Sequence, residues 1–339
     1  MIAANQSLLF VVSLLLSGFL VDTKTMSLSV ATLRVMRGSR LLFIKNARSQ
    51  LLNNPAYLNH IAKVAKNDGF FCLSHRHYLA TGFTPAQRVA LAQHHYSHEV
   101  HGFDADYFNQ VYKQDGLMLW RYEAEETQFD IRLMPGNDVL YEGACSIVFH
   151  VDNVRICVIS YATTPARLLL SVNNRHDNQT AHNQSLLFVT RKQSTADHEY
   201  QKVFNKVFDR TTAAHMCIGA LTGVAMAQGH QQMMGISSAV HPSLTEEFKQ
   251  YFDRAYDEFW QSIHAKPCGE YGFLFDLPLR MTPLDTLDAK ARKRAISRRQ
   301  HIQTVCDAAF HVVQRHLLDK SASEMIPIVA TISVAPTVD

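Results

Sequence analysis

The sequence lacks the short motifs that mark the commonest site chemistries. It has no G-x-x-x-x-G-K-[ST] and no G-x-G-x-x-G at a strand–helix junction, so the usual phosphate cradles of nucleotide-binding folds are missing. G-x-S-x-G, H-E-x-x-H and an EF-hand loop are also missing, which removes the serine-hydrolase, zinc-protease and calcium signatures. None of the six cysteines (Cys72, Cys145, Cys157, Cys217, Cys268, Cys306) stands in a C-x-x-C pair. Scattered thiols in a chain of 339 residues fit reduced cysteines and a cytoplasmic setting better than a disulfide framework. There is no internal repeat and no Pro- or Ser-rich linker. With 47% hydrophobic and 19% charged residues the chain is globular, with core material for one large domain or two ordinary ones.

Ser7 to Val21, "SLLFVVSLLLSGFLV", is an uncharged apolar run of signal-peptide length, short for a membrane span. No Lys or Arg precedes it, and no small-x-small cleavage site follows in "VDTKTMS". Met26 then opens "MSLSVATLRVMRGSRLL", which reads as an ordinary cytosolic beginning. The expectation is an over-extended start, with a genuine signal or anchor as the second reading.

Residues 30 to 115 read as helical: "LLNNPAYLNHIAKVA" repeats its apolar residues at three- and four-residue steps. Thr84 as N-cap and Pro85 in the first turn start the next helix, "AQRVALAQHHYSHEV". From Leu117 the period changes to two. "LMLWRYEAE", "TQFDIRLM", "CSIVFHVD" and "VRICVISYA" are strand-like, joined through Pro135-Gly136-Asn137-Asp138 and Asp152-Asn153. "LLLSV" predicts a further strand before the polar loop Asn173 to Gln184, and "SLLFVTRK" another. Helices follow from Glu199 to Gly229 with a break near Thr211. The pattern then predicts a buried strand "MMGISSAV", a helix from Glu246 to Ile263, the strand "GFLFDLPLRM" and a last helix from Leu284 to Leu318. The tail "IPIVATISVAPTVD" has no clear place.

The expected fold class is α+β: an N-terminal helical lobe packed on a mixed, mainly antiparallel sheet whose later strands alternate with helices. An N-acyltransferase-like core is its fold analogue. The expected divisions are 1–25 (apolar leader or over-extended start), 26–116 (helical lobe), 117–320 (α+β domain continuous with it) and 321–339 (tail).

Three clusters invite chemistry. His94, His98 and His101 share a helix face, with His95, Glu99 and Asp104 near, and a carboxylate added to such a row can bind zinc. An ordinary half-buried face is preferred, and no metal is expected. In "YDEFW", Tyr256, Phe259 and Trp260 make a core stripe at helical spacing, leaving Asp257 or Glu258 for chemistry.

Third, "KARKRAISRR" holds Lys290, Arg292, Lys293, Arg294, Arg298 and Arg299 in ten residues of a chain whose formal charge is only +3. Leu287, Ala291, Ala295, Ile302, Val305 and Ala309 form an apolar stripe beside the row Lys290, Arg294 and Arg298. A solvated amphipathic helix is the plain reading, and an anionic headgroup or phosphate the sharper one. The stretch has no aromatics for stacking on bases, which counts against nucleic acid.

Taken in order, these segments resemble the VirK/YbjX family of Gram-negative bacteria. "HYLATGFTPAQRVALAQHHYSHEV" is similar to the family's early helix with its His-Tyr pair, here His95-Tyr96. "GLMLWRYEAEETQFDIRL" and "YEGACSIVFHVDNVRICVISYA" resemble its strand region. "RAYDEFWQSI" with "YGFLFDLPL" resembles its Tyr-Asp-x-Phe-Trp segment and following strand, and "DAKARKRAISRRQ" its closing basic helix. The resemblance covers roughly residues 40 to 310. Departures lie at "FVTRKQSTA", which lacks the family's glycines, at "DRTTAAH" in place of its His-Gly-Leu-Arg-Pro-like turn, and at His241-Pro242-Ser243.

The resemblance implies a role in virulence, envelope integrity or surface-protein display, and resistance to cationic antimicrobial peptides, with no settled reaction. The expected partners are an anionic membrane surface or envelope proteins, from a cytoplasmic position or peripherally at the inner membrane. No cofactor is expected; acyl-CoA enters only under an acyltransferase alternative. That alternative places "RKQSTADHE" at the pyrophosphate, without glycine and with Asp197 and Glu199 opposing it.

Overall fold

The computed structural model describes residues 44–63, 71–75, 77–136, 142–170, 184–194, 198–208 and 211–318. The apolar leader, Asn137 and Asp138 of the Pro135–Asp138 turn, the polar loop up to 183 and the tail lie outside them.

The helices α1 (Lys45–Leu52), α2 (Pro55–Lys63), α3 (Phe71–Ser74), α4 (Pro85–Gly102) and α5 (Ala105–Lys113) come first. The α4 start is the one the sequence predicts. Thr84 Oγ1 accepts from the Gln87 amide at 3.3 Å while Gln87 Oε1 accepts from the Thr84 amide at 2.9 Å, a reciprocal capping box.

Eight strands follow in one sheet: β1 (Leu117–Ala124), β2 (Thr127–Pro135), β3 (Cys145–Val151), β4 (Val154–Pro165), β5 (Ser185–Ser194), β6 (Gln232–Ile236), β7 (Lys266–Cys268) and β8 (Gly272–Asp276). Their order is β1-β2-β3-β4-β5-β6-β8-β7. β5–β6 is parallel; the other neighbours are antiparallel. The Asp152-Asn153 junction is a two-residue hairpin with φ of 48° and 64°. Glu125-Glu126 closes β1–β2 in the same left-handed conformation, at 48° and 66°, without the Asn or Gly that such turns favour.

The parallel crossover from β5 to β6 carries α6 (His198–Val207) and α7 (Ala213–Ala227). Of the 15 residues of α7, 12 are buried, so this helix is apolar on every side and lies between the sheet and α9 (Ala289–Gln314). Gly219 and Gly223 make that closeness possible. A Cβ at Gly219 would lie 2.9 Å from the Ile302 side chain, and one at Gly223 2.1 Å from the Cys306 carbonyl oxygen. The pairing of Gly219 with Ile302 and Gly223 with Cys306 means that α7 and α9 run parallel.

Four expected elements are corrected. The strand "MMGISSAV" ends at Ile236, and Ser238–Val240 form a 3-10 turn. Within "LLLSV", Leu168 ends a 3-10 turn and Leu169–Leu170 continue as turn and bend, not strand. The strand "GFLFDLPLRM" stops at Asp276, because Pro278 has no amide to donate to a ladder. The helix from Glu246 to Ile263 is composite: α8 joins α-helical Lys249–Phe252 and Glu258–Ser262 through a π-helical turn, Asp253–Asp257, after a 3-10 turn at Glu246–Phe248.

Candidate functional site

His95 and Tyr96, the pair singled out by resemblance, lie on the buried face of α4, at 1% and 2% exposure. Glu99, one turn on, shares that face. Its carboxylate accepts from Tyr107 Oη at 2.8 Å, from Tyr112 Oη at 2.6 Å and from the Cys145 thiol at 3.3 Å. His95 Nε2 lies 3.7 Å from the carboxylate and 3.9 Å from Cys145 Sγ. Burial pushes the Glu99 carboxyl up from its ordinary value, against the three donors that pull it down. Burial, then the charge of Glu99, pushes the Cys145 thiol up, so this is no activated nucleophile.

The donor set His95, Glu99 and Cys145 is close enough to hold a metal ion. The other ring nitrogen argues against it. The Thr163 amide donates to His95 Nδ1 at 3.2 Å, so in the neutral ring Nε2 carries the proton, and that nitrogen faces Glu99 and Cys145. A histidine ligand needs the reverse, a free Nε2 pair and a proton on Nδ1. The donor set therefore fits a hydrogen-bonded network.

The histidine row of α4 disperses. His94 Nε2 meets Ser185 Oγ at 2.8 Å, His98 Nε2 meets Gln228 Oε1 at 2.8 Å and His101 Nδ1 meets the Ser97 carbonyl at 2.7 Å.

Tyr256, Asp257 and Trp260 gather elsewhere, where β5 and β6 part. The two strands pair only from Leu187–Met233 to Val189–Gly235, while β5 continues along β4 to Ser194. Carboxyl ends of parallel strands are where ligands sit in open α/β sheets. Here side chains fill the wedge. Tyr256 Oη accepts from the Lys192 amide at 3.2 Å, in the place of a strand partner. The His241 ring packs at a tilt against Tyr256, 4.7 Å between centres; burial holds its pKa down to about 4, with the Arg191 charge adding to the shift.

Asp257 is committed to Ser238, accepting from its amide at 2.7 Å and its hydroxyl at 3.0 Å; the π-helical turn brings Asp253 to the same hydroxyl at 2.6 Å. Trp260 lies against Gly235, where a Cβ would fall 2.3 Å from the indole, and its Nε1 donates to the Ile236 carbonyl at 2.8 Å. Glu142 braces the wedge from the side, contacting Ser243 and, at 3.4 Å, Arg191.

The basic stretch forms the first turns of α9. Lys290, Lys293, Arg294 and Arg298 are exposed, and none has an ion-pair partner among the described residues. Arg292 is tied to the Leu284 and Leu287 carbonyls at 3.0 and 3.2 Å, and Arg299 to the Thr282 carbonyl. Of the expected apolar stripe, Ala295, Ile302, Val305 and Ala309 are buried, whereas Leu287 and Ala291 are half-buried. Ile296, one turn from Lys293, stands 48% exposed. No helix among the described residues is long and apolar enough to cross a membrane.

Cys145, Tyr107, Tyr112 and Glu142 escaped the sequence reading, because their roles depend on strand register and on the α4–α5 angle. Only Glu99 had a local signal, its i+4 spacing from His95.

Residues 38–171 match the model of a family described as a protein of unknown function (DUF535). The matched segment holds α1 to α5, β1 to β4 and the whole His95–Glu99–Cys145 network; the wedge residues and the basic helix lie beyond it. No curated protein and no solved structure matches the chain.

Proposed function

We propose that this chain is an accessory factor of the VirK/YbjX kind that works against an anionic surface of the bacterial envelope, in envelope stress or antimicrobial-peptide resistance, without a catalytic centre of its own. One observation carries the reading: four exposed cations, Lys290, Lys293, Arg294 and Arg298, without carboxylate partners among the described residues, on a helix that also exposes Ile296 one turn from Lys293. Such a face attracts an anionic interface by charge and has an apolar side chain to bury in it. The family match at residues 38–171 agrees with the resemblance from which the envelope role is taken, though the family's own description names no role. The buried network fits a structural part, since its polar groups satisfy one another.

Co-sedimentation with vesicles tests this. The full chain is expected to pellet with phosphatidylglycerol-containing vesicles at low salt, to be released at high salt, and to ignore pure phosphatidylcholine. Equal binding to both vesicle types, or none to either, would contradict the reading.

A second reading, an acyltransferase-like enzyme, has one observation in its favour: the lone parallel pair β5–β6 in an otherwise antiparallel sheet, with strands that diverge. Against it stand Tyr256 and His241 in the wedge and Glu199 in the first turn of α6, where it repels phosphate. Saturating acyl-CoA is therefore expected to move the unfolding midpoint no further than the same concentration of inorganic pyrophosphate does. A ligand at about 100 times its Kd would add about 2.7 kcal/mol, and a shift several degrees beyond that of pyrophosphate would revive the enzyme.

A further inference from the structure

Two cations and an imidazole, from three elements, converge at the start of α7. Lys192, near the end of β5, lies with its ammonium 4.6 Å from the centre of the Phe259 ring; no hydrogen bond or ion pair of that ammonium occurs among the described residues. His215, in the first turn of α7, packs on the same ring at 5.2 Å. Arg298 comes from α9. The parallel register that sets Gly219 against Ile302 and Gly223 against Cys306 sets His215 against Arg298 one turn earlier.

The charges of Arg298 and Lys192 reach His215, adding to burial in holding its pKa down to about 4. At neutral pH the ring is thus neutral. Its Nδ1 meets Thr212 Oγ1 at 2.7 Å, and with the Thr212 hydroxyl donating there, Nε2–H is left as a donor.

The helix itself adds to this. α7 is 15 residues long and capped by Thr212, and its N-terminus carries the partial positive charge of the macrodipole. The residue before the cap supplies a separate observation: Thr211 is only 4% exposed, yet its hydroxyl has no hydrogen-bond partner among the described residues. A buried hydroxyl without a partner among the described residues, next to the N-cap of a helix whose first turn meets Lys192 and Arg298, lacks an acceptor. No carboxylate of the described residues pairs with Lys192 or Arg298 to supply one.

We propose that Lys192, His215 and Arg298, with Thr211 at the N-terminus of α7, form a binding site for a phosphate-bearing ligand. The site goes beyond the surface reading: it is a discrete position at the inner end of the α9 row, with specific donors. The phosphate comes either from a lipid headgroup or from a soluble phosphate ester or diphosphate. Both offer the same oxygens to one ammonium, one guanidinium and one imidazole N–H.

The test is titration of the full chain with inorganic pyrophosphate at constant ionic strength, on wild type and on Lys192→Met, His215→Gln and, as a remote control, Lys266→Gln. Lys192→Met and His215→Gln are expected to weaken pyrophosphate about tenfold or more, the size of one lost charge-assisted hydrogen bond, while Lys266→Gln binds as wild type. Two different substitutions keep the result interpretable if one of them disturbs the fold. Anionic vesicles that displace pyrophosphate point to a headgroup; vesicles that leave it bound point to a soluble phosphate. A wild type that takes up no pyrophosphate, or both variants binding as wild type, overturns the site. The two proposals fail separately: a chain that pellets with anionic vesicles but ignores pyrophosphate lacks this site and keeps the surface role. One that takes up pyrophosphate but never pellets keeps the site and loses the surface role.

Discussion

Gly223→Ala is expected to destabilise the protein by about 3 kcal/mol, at the upper end of what overpacking normally costs. The added methyl would fall 2.1 Å from the Cys306 carbonyl oxygen and 2.9 Å from the Phe310 amide nitrogen. Both are backbone atoms of α9, so no rotamer change relieves the contact and the helix itself must retreat from α7. Alanine's better helix propensity, about 1 kcal/mol over glycine, acts in the opposite direction and does not cancel the clash.

The retreat also reaches function, because α9 carries Arg298 to its place beside His215. Gly102 is the matched control. A Cβ there meets nothing within 4 Å, so Gly102→Ala should be neutral or mildly stabilising. Urea unfolding of the two variants decides the matter: equal midpoints would mean that α7 and α9 are not packed backbone to backbone.

Glu99→Ala is the second large effect, expected at about 4 kcal/mol, because it takes from the buried hydroxyls of Tyr107 and Tyr112 the carboxylate to which both donate, at roughly 1–3 kcal/mol each. Glu99→Gln keeps one carbonyl acceptor and should cost distinctly less. The two also separate by pH. The folded protein holds the Glu99 proton more tightly than the unfolded chain does, since burial raises its pKa above the ordinary 4.5. Its contribution is therefore complete below 4.5 and is lost as pH rises through the folded value.

Asp130 has the opposite sign. Burial raises its pKa, but hydrogen bonds from His150 and Arg132 outweigh that and bring it to about 2. Its contribution is present above the ordinary 3.8 and lost as pH falls towards 2. In Glu99→Gln the loss on the alkaline side should flatten while the acid limb, set by Asp130, stays. An unchanged alkaline side would show that Glu99 is not the buried acid described here.

Much of this architecture was legible in the chain. The Thr84–Pro85 helix start, the switch to period two at Leu117 and the break near Thr211 each have a local cause, and each stands where the sequence places it. The misses share a cause as well: they depend on what lies across space. Glu125-Glu126 turns a hairpin without turn residues because the strands on either side dictate it. The π-helical turn at Asp253–Asp257 is explained by two carboxylates reaching the single residue Ser238, which no periodicity reveals.

The same applies to the candidate sites. The six cations of α9 were visible as composition, yet only the structure separates Arg292 and Arg299, spent on local carbonyls, from Lys290, Lys293, Arg294 and Arg298, which face solvent. Trp260 and Asp257 read as candidates in sequence and prove to be fastened into the end of β6. Lys192 and His215 entered the sequence reading only within "FVTRKQSTA" and "DRTTAAH", as departures from the family pattern, because nothing in those segments shows that the two meet across Phe259.

The central claim is that the open face of α9 meets an anionic surface by charge. Its most direct test is the partition coefficient of the full chain on phosphatidylglycerol vesicles at low salt, for wild type and for Lys290, Lys293, Arg294 and Arg298 all changed to Gln. At on the order of 1 kcal/mol per cation, the fourfold change should weaken partitioning by about a thousandfold, and each added increment of salt should narrow the gap. Equal partitioning of the two proteins would contradict the account.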